Sequence, residues 1–78
     1  MQDSMEVYTG EKVSVEHIKT LPGGSARFDI TAEDGRKWRV DLTRDGDTEI
    51  VTSWRDGKLA DLELPEWAGD VTARLARV

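Results

Sequence analysis

Three Asp-Gly dipeptides, Asp34-Gly35, Asp45-Gly46 and Asp56-Gly57, recur at a spacing of 11 residues. Each falls between runs that alternate apolar and polar residues. Asp-Gly in that setting is among the strongest short-range hairpin signals, because both residues tolerate the positive φ of tight turns. The period is too short for the usual solenoid repeats and fits an up-and-down meander.

Side-chain parity selects the turn. A two-residue loop at each Asp-Gly sets Ile30 against Arg39 and Phe28 against Asp41. Neighbouring apolar sets then point to opposite faces, since one residue of slip flips every side chain. A three-residue loop, with Gly left-handed in a G1 bulge, predicts Phe28 opposite Val40, Ile30 opposite Trp38 and Ala26 opposite Leu42. Continued, it sets Val40 against Ile50 and Trp38 against Thr52, then Ile50 against Leu62, Thr52 against Ala60 and Thr48 against Leu64. One rule thus gathers the large apolar groups of four strands, Val51 and Leu59 excepted, on one face. The other face receives Arg27, Asp29, Lys37, Arg39, Asp41, Glu49 and Ser53, with Asp29 opposite Arg39 and Arg27 opposite Asp41.

The apolar face needs a cover. Pro65 suits a first helical position, and Trp67, Val71, Leu75 and Val78 follow in one helical stripe. Glu66 and Asp70 near its start and Arg74 and Arg77 near its end suit the helix dipole. In the N-terminal third, Val13 and Val15 alternate as in a strand, while Val15, Ile18 and Leu21 also fit a short helix capped by Ser14. The strand is favoured, hairpinned onto Ala26–Ala32 through Pro22-Gly23-Gly24-Ser25, with a bulge near His17 to absorb the parity change. Met5–Thr9 is a candidate further strand, and residues 1–4 are expected to be disordered.

The expected fold is α+β: an antiparallel β-meander of about five strands over 12–64, with one C-terminal helix over 65–78 on its apolar face, in a single domain spanning 1–78. A chain of 78 residues buries only about 60% of its unfolded surface, and without cysteine no disulfide reinforces it.

Chemistry-bearing motifs are few. His17 is the single histidine, and with no Cys a zinc site would need several carboxylates. Asp45-Gly46-Asp47 and Glu49 lack the spacing of a calcium loop, and Pro22-Gly23-Gly24-Ser25 lacks the Lys-Ser/Thr of a phosphate loop. No catalytic group, metal or cofactor is expected, and the chain is not expected to be an enzyme. Trp38 and Trp67 read as core, and Trp54, at a strand end, is split between the core and partial exposure.

Two surfaces remain. Val51 and Leu59 are apolar on the outer face, beside the expected free edge strand Lys58–Leu64. This suggests a protein partner or a second copy pairing there, although Asp61 and Glu63 protect that edge. The leading expectation is a small acidic, non-enzymatic interaction module that self-associates or binds another protein. Arg27, Lys37, Arg39 and Arg55 form a basic stripe on the outer face, and the alternative is a nucleic-acid-binding accessory protein using it. Interleaved carboxylates and a net charge of −5 weigh against that alternative. Seven Arg against four Lys, with nine Asp and seven Thr, resemble the composition of proteins from salt-loving microbes, though a GC-rich genome also raises Arg over Lys. The first ten residues carry Asp3 and Glu6 without an apolar run, and no stretch approaches a bilayer span of about 20 apolar residues. A cytoplasmic, soluble protein is the corresponding expectation.

Overall fold

The computed structural model of the chain describes residues 2–7 and 9–76. Its strands are β1 (Gln2–Glu6), β2 (Lys12–Thr20), β3 (Ala26–Ala32), β4 (Arg36–Leu42), β5 (Thr48–Arg55) and β6 (Lys58–Leu59), followed by helix α1 (Ala68–Ala76). The strands form one antiparallel sheet in chain order. The chain is an α+β meander, with one strand more than the five expected.

The first Asp-Gly hairpin follows the three-residue rule. Phe28 faces Val40, Ile30 faces Trp38 and Ala26 faces Leu42, and Gly35 is left-handed at φ 93°. The second begins the same way, with Val40 opposite Ile50. Its loop Arg44-Asp45-Gly46 is closed by Thr43 N–H on Asp47 O at 2.9 Å and Gly46 N–H on Thr43 O at 3.0 Å.

Past Val40 the expected register fails. Arg39 faces Thr52 and Trp38 faces Ser53, where Thr52 was expected. Val51 is the extra residue of a β-bulge, and one inserted residue reverses the parity of the rest of the strand. Ser53 therefore turns to the core side, where it is buried, and Trp54 turns to the outer face opposite Lys37. Both were expected on the other side.

The third hairpin has a two-residue loop instead of three. Arg55 faces Lys58 and Trp54 faces Leu59. Asp56 at φ 52° and Gly57 at φ 83° both take the positive φ of a type I′ turn, whose twist suits a two-residue hairpin. The expected strand Lys58–Leu64 stops at Leu59, so Ile50 with Leu62, Thr52 with Ala60 and Thr48 with Leu64 do not form ladder pairs. Buried Ser53 is the cause. Its hydroxyl donates to the carbonyl of Ala60 and accepts the N–H of Leu62 at 3.1 Å, while its own carbonyl accepts the N–H of Ala60 at 3.0 Å. The side chain takes the partners that the strand backbone would have used, and the chain leaves the sheet.

It crosses the apolar side, where Leu62 and Leu64 pack on the core and the Glu63 carbonyl accepts Trp38 Nε1–H at 3.2 Å. Pro65 opens a turn, accepting Ala68 N–H at 3.0 Å, and the Trp67 carbonyl accepts Val71 N–H at 3.3 Å. The described helix is thus shorter than the expected 65–78, because Pro65–Trp67 form a lead-in turn; Val78 of the expected stripe and Arg77, expected near the helix end, lie outside the described residues. Trp67 and Val71 are buried, with Leu75 packed beside them. Trp67 meets Trp38 edge-to-face, with ring centroids 5.5 Å apart, a favoured aromatic geometry. Arg74 pairs with Asp70 at 3.0 Å and donates to the Glu6 carbonyl at 2.8 Å, tying the helix to β1.

The N-terminal third is a strand, β2, with the bulge at Ile18 between His17 and Lys19. Residues 2–6, expected as disorder through residue 4, form β1, paired from Gln2–Glu16 to Glu6–Lys12. The backbone of β2 needs partners on its second side, and β1 supplies them. The strand expected at Met5–Thr9 accordingly lies earlier and ends at Glu6.

Candidate functional site

β5 pairs with β4 from Thr48 to Arg55, interrupted by the bulge at Val51, but has little on its other side. β6 pairs only with Trp54 and Arg55, and Ser53 binds the departing chain. From Thr48 to Thr52 the outer backbone edge has no strand partner among the described residues. An unpaired edge offers N–H and C=O groups that another extended chain can satisfy.

The same stretch exposes apolar surface. Ile50 is 41%, Val51 43% and Leu59 77% exposed. An open groove runs between Ile50–Ser53 on one bank and Leu59–Leu62 on the other. Val51 projects at the bulge, and Leu59 stands opposite Trp54 on the outer face. The edge lies on β5, not on Lys58–Leu64 as expected, because Ser53 draws that segment out of the ladder.

The basic stripe is arranged differently from its expected form. Arg27 grips Asp41 with two bonds of 2.7 and 3.0 Å, and Arg39 grips Asp29 with two of 2.8 and 3.0 Å. Lys37 Nζ lies 3.4 Å from the same Asp29. Asp29 is buried; burial alone would raise its pKa, but the hydrogen bond and charge of Arg39, with Lys37, hold it below the ordinary carboxylate range. The Arg27 hydrogen bond holds Asp41 low as well, against weaker desolvation. Arg55 is not on this face. The bulge puts it opposite Arg36 on the side of Ser53.

Trp54 takes a place in the outer face that its expected position did not give it. It is half-buried, with Lys37 Nζ 5.3 Å and the Arg39 guanidinium 5.4 Å from its ring, within cation–π range. His17 packs its ring edge-on to Phe28 at 5.3 Å. Among the described residues, no three His, Cys, Asp or Glu side chains converge as a metal site would need, and no helix is long and apolar enough to cross a membrane.

Ile50, Ser53 and Trp54 are the residues that sequence reasoning missed. The signal was present: Ile50-Val51 are adjacent apolar residues in an alternating strand. This is the same kind of parity break that Val15 and Ile18 mark in β2, where a bulge was inferred. Comparison of the chain with protein-family models, with curated proteins and with solved structures finds no match.

Proposed function

We propose that the chain is a non-enzymatic protein-interaction module that receives an extended segment of another protein along the open edge of β5. The observation that carries this reading is the unpaired Thr48–Thr52 backbone flanked by exposed Ile50, Val51 and Leu59. Strand addition uses these two features together: main-chain hydrogen bonds supply affinity, and pockets for alternate side chains supply specificity. Two of the usual edge protections are missing, although the bulge at Val51 and the charge of Glu49 remain. No proline lies in β5, and β6 covers only its last two residues.

Selection of random eight-residue peptides against the chain, with amide shift mapping of each binder, tests this reading. Binders shift Thr48–Thr52 and Ala60–Leu62. Binders that map elsewhere, or a selection that returns none, count against it.

Nucleic-acid binding on the outer face keeps one supporting feature, the Trp54 ring beside Lys37 and Arg39. The bidentate grips of Arg27 and Arg39 on carboxylates leave little free positive charge for phosphate. An oligonucleotide titration at low salt that shifts the Trp54 indole would favour this second reading over the first.

A further inference from the structure

Net charge is unevenly spread along the chain. Residues 45–63 hold six carboxylates, Asp45, Asp47, Glu49, Asp56, Asp61 and Glu63, against the two cations Arg55 and Lys58. That stretch accounts for four of the chain's five net negative charges. It is also the stretch that builds the β5 edge and both banks of the groove. Elsewhere on the sheet, Asp29 and Asp41 are held by arginine. Around the edge, Glu49, Asp61 and Glu63 make no ion pair among the described residues.

We infer that the occupant of the β5 edge is an extended segment of a different protein in which apolar residues alternate with lysine or arginine. The inference rests on the reading of this edge as a docking surface.

The alternation arises from the two sides of the sheet. Side chains of an added strand point alternately to the two faces. On the core side the new strand meets Ile50, with Leu62 across the groove. Apolar side chains fit there. On the outer side it meets Glu49, which faces Asp41. Asp41 is already held by Arg27, so Glu49 is the carboxylate left for a cation on the incoming strand. Cross-strand pairs of opposite charge are favourable, and like charges directly opposed are not. A second copy of this chain would bring the same acidic edge with it, including its own Glu49 and Asp61. Long-range attraction between unlike charges would also speed encounter with a basic segment.

Three capped eight-residue peptides test the inference, with valine alternating with lysine, with glutamine or with glutamate. Each is titrated into the isotope-labelled full chain at low and at raised salt. The lysine peptide is expected to shift Thr48–Ser53 and Ala60–Leu62 and to bind about tenfold more tightly than the glutamine peptide. That advantage shrinks as salt rises and falls in the variant Glu49→Gln. If the glutamine or glutamate peptide binds these residues as tightly as the lysine peptide, the charge inference is overturned while the docking edge stands. The same division holds if the chain itself shifts those amides on concentration and no peptide does, since the occupant is then a second copy. If neither peptides nor self-association shift them, both the inference and the edge fall.

Discussion

Ser53 holds Leu62: the hydroxyl of the first accepts the backbone N–H of the second at 3.1 Å. A serine buried at the end of a strand thus takes over the role of a ladder partner and leads the chain out of the sheet. The contact sits where the chain leaves β5, between its open edge and the cover of Leu62 and Leu64 over the core.

Replacing Ser53 with Ala leaves the Leu62 N–H and the Ala60 carbonyl without this partner. A buried polar group left unpaired costs about 1–3 kcal/mol. Ser53→Ala is expected to lower unfolding free energy by that order in a urea titration, and to raise the exchange rate of the Leu62 amide well above that of Val40. An unchanged Leu62 exchange rate would show that the clamp is dispensable.

Acid should destabilise the fold through the outer face. Arg39 with Lys37, overcoming burial, and Arg27 hold Asp29 and Asp41 below their unfolded values. As pH falls the unfolded chain therefore takes up these protons first. The stabilisation is complete above the unfolded carboxylate pKa of about 4 and is lost as pH drops through the folded values. Melting temperature against pH should bend downward in that acidic window. Asp29→Asn should shallow the bend while lowering stability at neutral pH.

Trp54 is the tryptophan that solvent reaches. Trp38 and Trp67 are 1% and 3% exposed, whereas Trp54 lies half-buried on the outer face. Acrylamide quenching of the native protein should show one accessible component, and Trp54→Phe should abolish it. Trp67→Phe should leave it in place. Persistence of the component in Trp54→Phe would place Trp54 inside the core, as a sheet without the bulge at Val51 would have it.

The first and third turns touch, and a glycine makes this feasible. Asp56 N–H donates to the Gly35 carbonyl at 2.9 Å, and a Cβ on Gly35 would clash with the Asp56 carboxylate. Gly35 also sits at φ 93°, where side chains are strained by about 1–3 kcal/mol. Gly35→Ala should therefore destabilise by at least about that much. Gly10→Ala, at φ 89° with open space around it, should cost less.

Where alternation ran unbroken, the sequence was legible. Phe28, Ile30, Trp38 and Val40 fix the parity of the β3–β4 pairing, because a one-residue slip would turn Ile30 and Trp38 to water, and the Asp34-Gly35 turn fixes the rest of the register. The parity break between Val15 and Ile18 made a bulge in β2 legible, but the bulge falls on Ile18 itself, which is 37% exposed and not turned into the core beside Val15. Val51 was not read as a bulge, because Thr52 looked acceptable opposite Trp38 and Ser53 is small and polar. A buried serine gives no periodic signal; its role depends on a hydrogen bond to residues seven and nine positions on. The error carried forward, moving Trp54 and Arg55 to the wrong faces and extending β6 to Leu64. Of the surface, Val51 and Leu59 were legible as exposed apolar residues, but not that the open backbone beside them belongs to β5.

Amide hydrogen exchange along Thr48–Thr52 is the most direct test of the open edge. Its amides not bonded to β4 should exchange quickly while those bonded to β4 stay protected, with the alternation broken at the Val51 bulge, and Leu62 should stay protected through Ser53. Uniform protection from Thr48 through Thr52, extending to the Leu64 amide, would mean that a full β5–β6 ladder closes the edge, and would contradict the account.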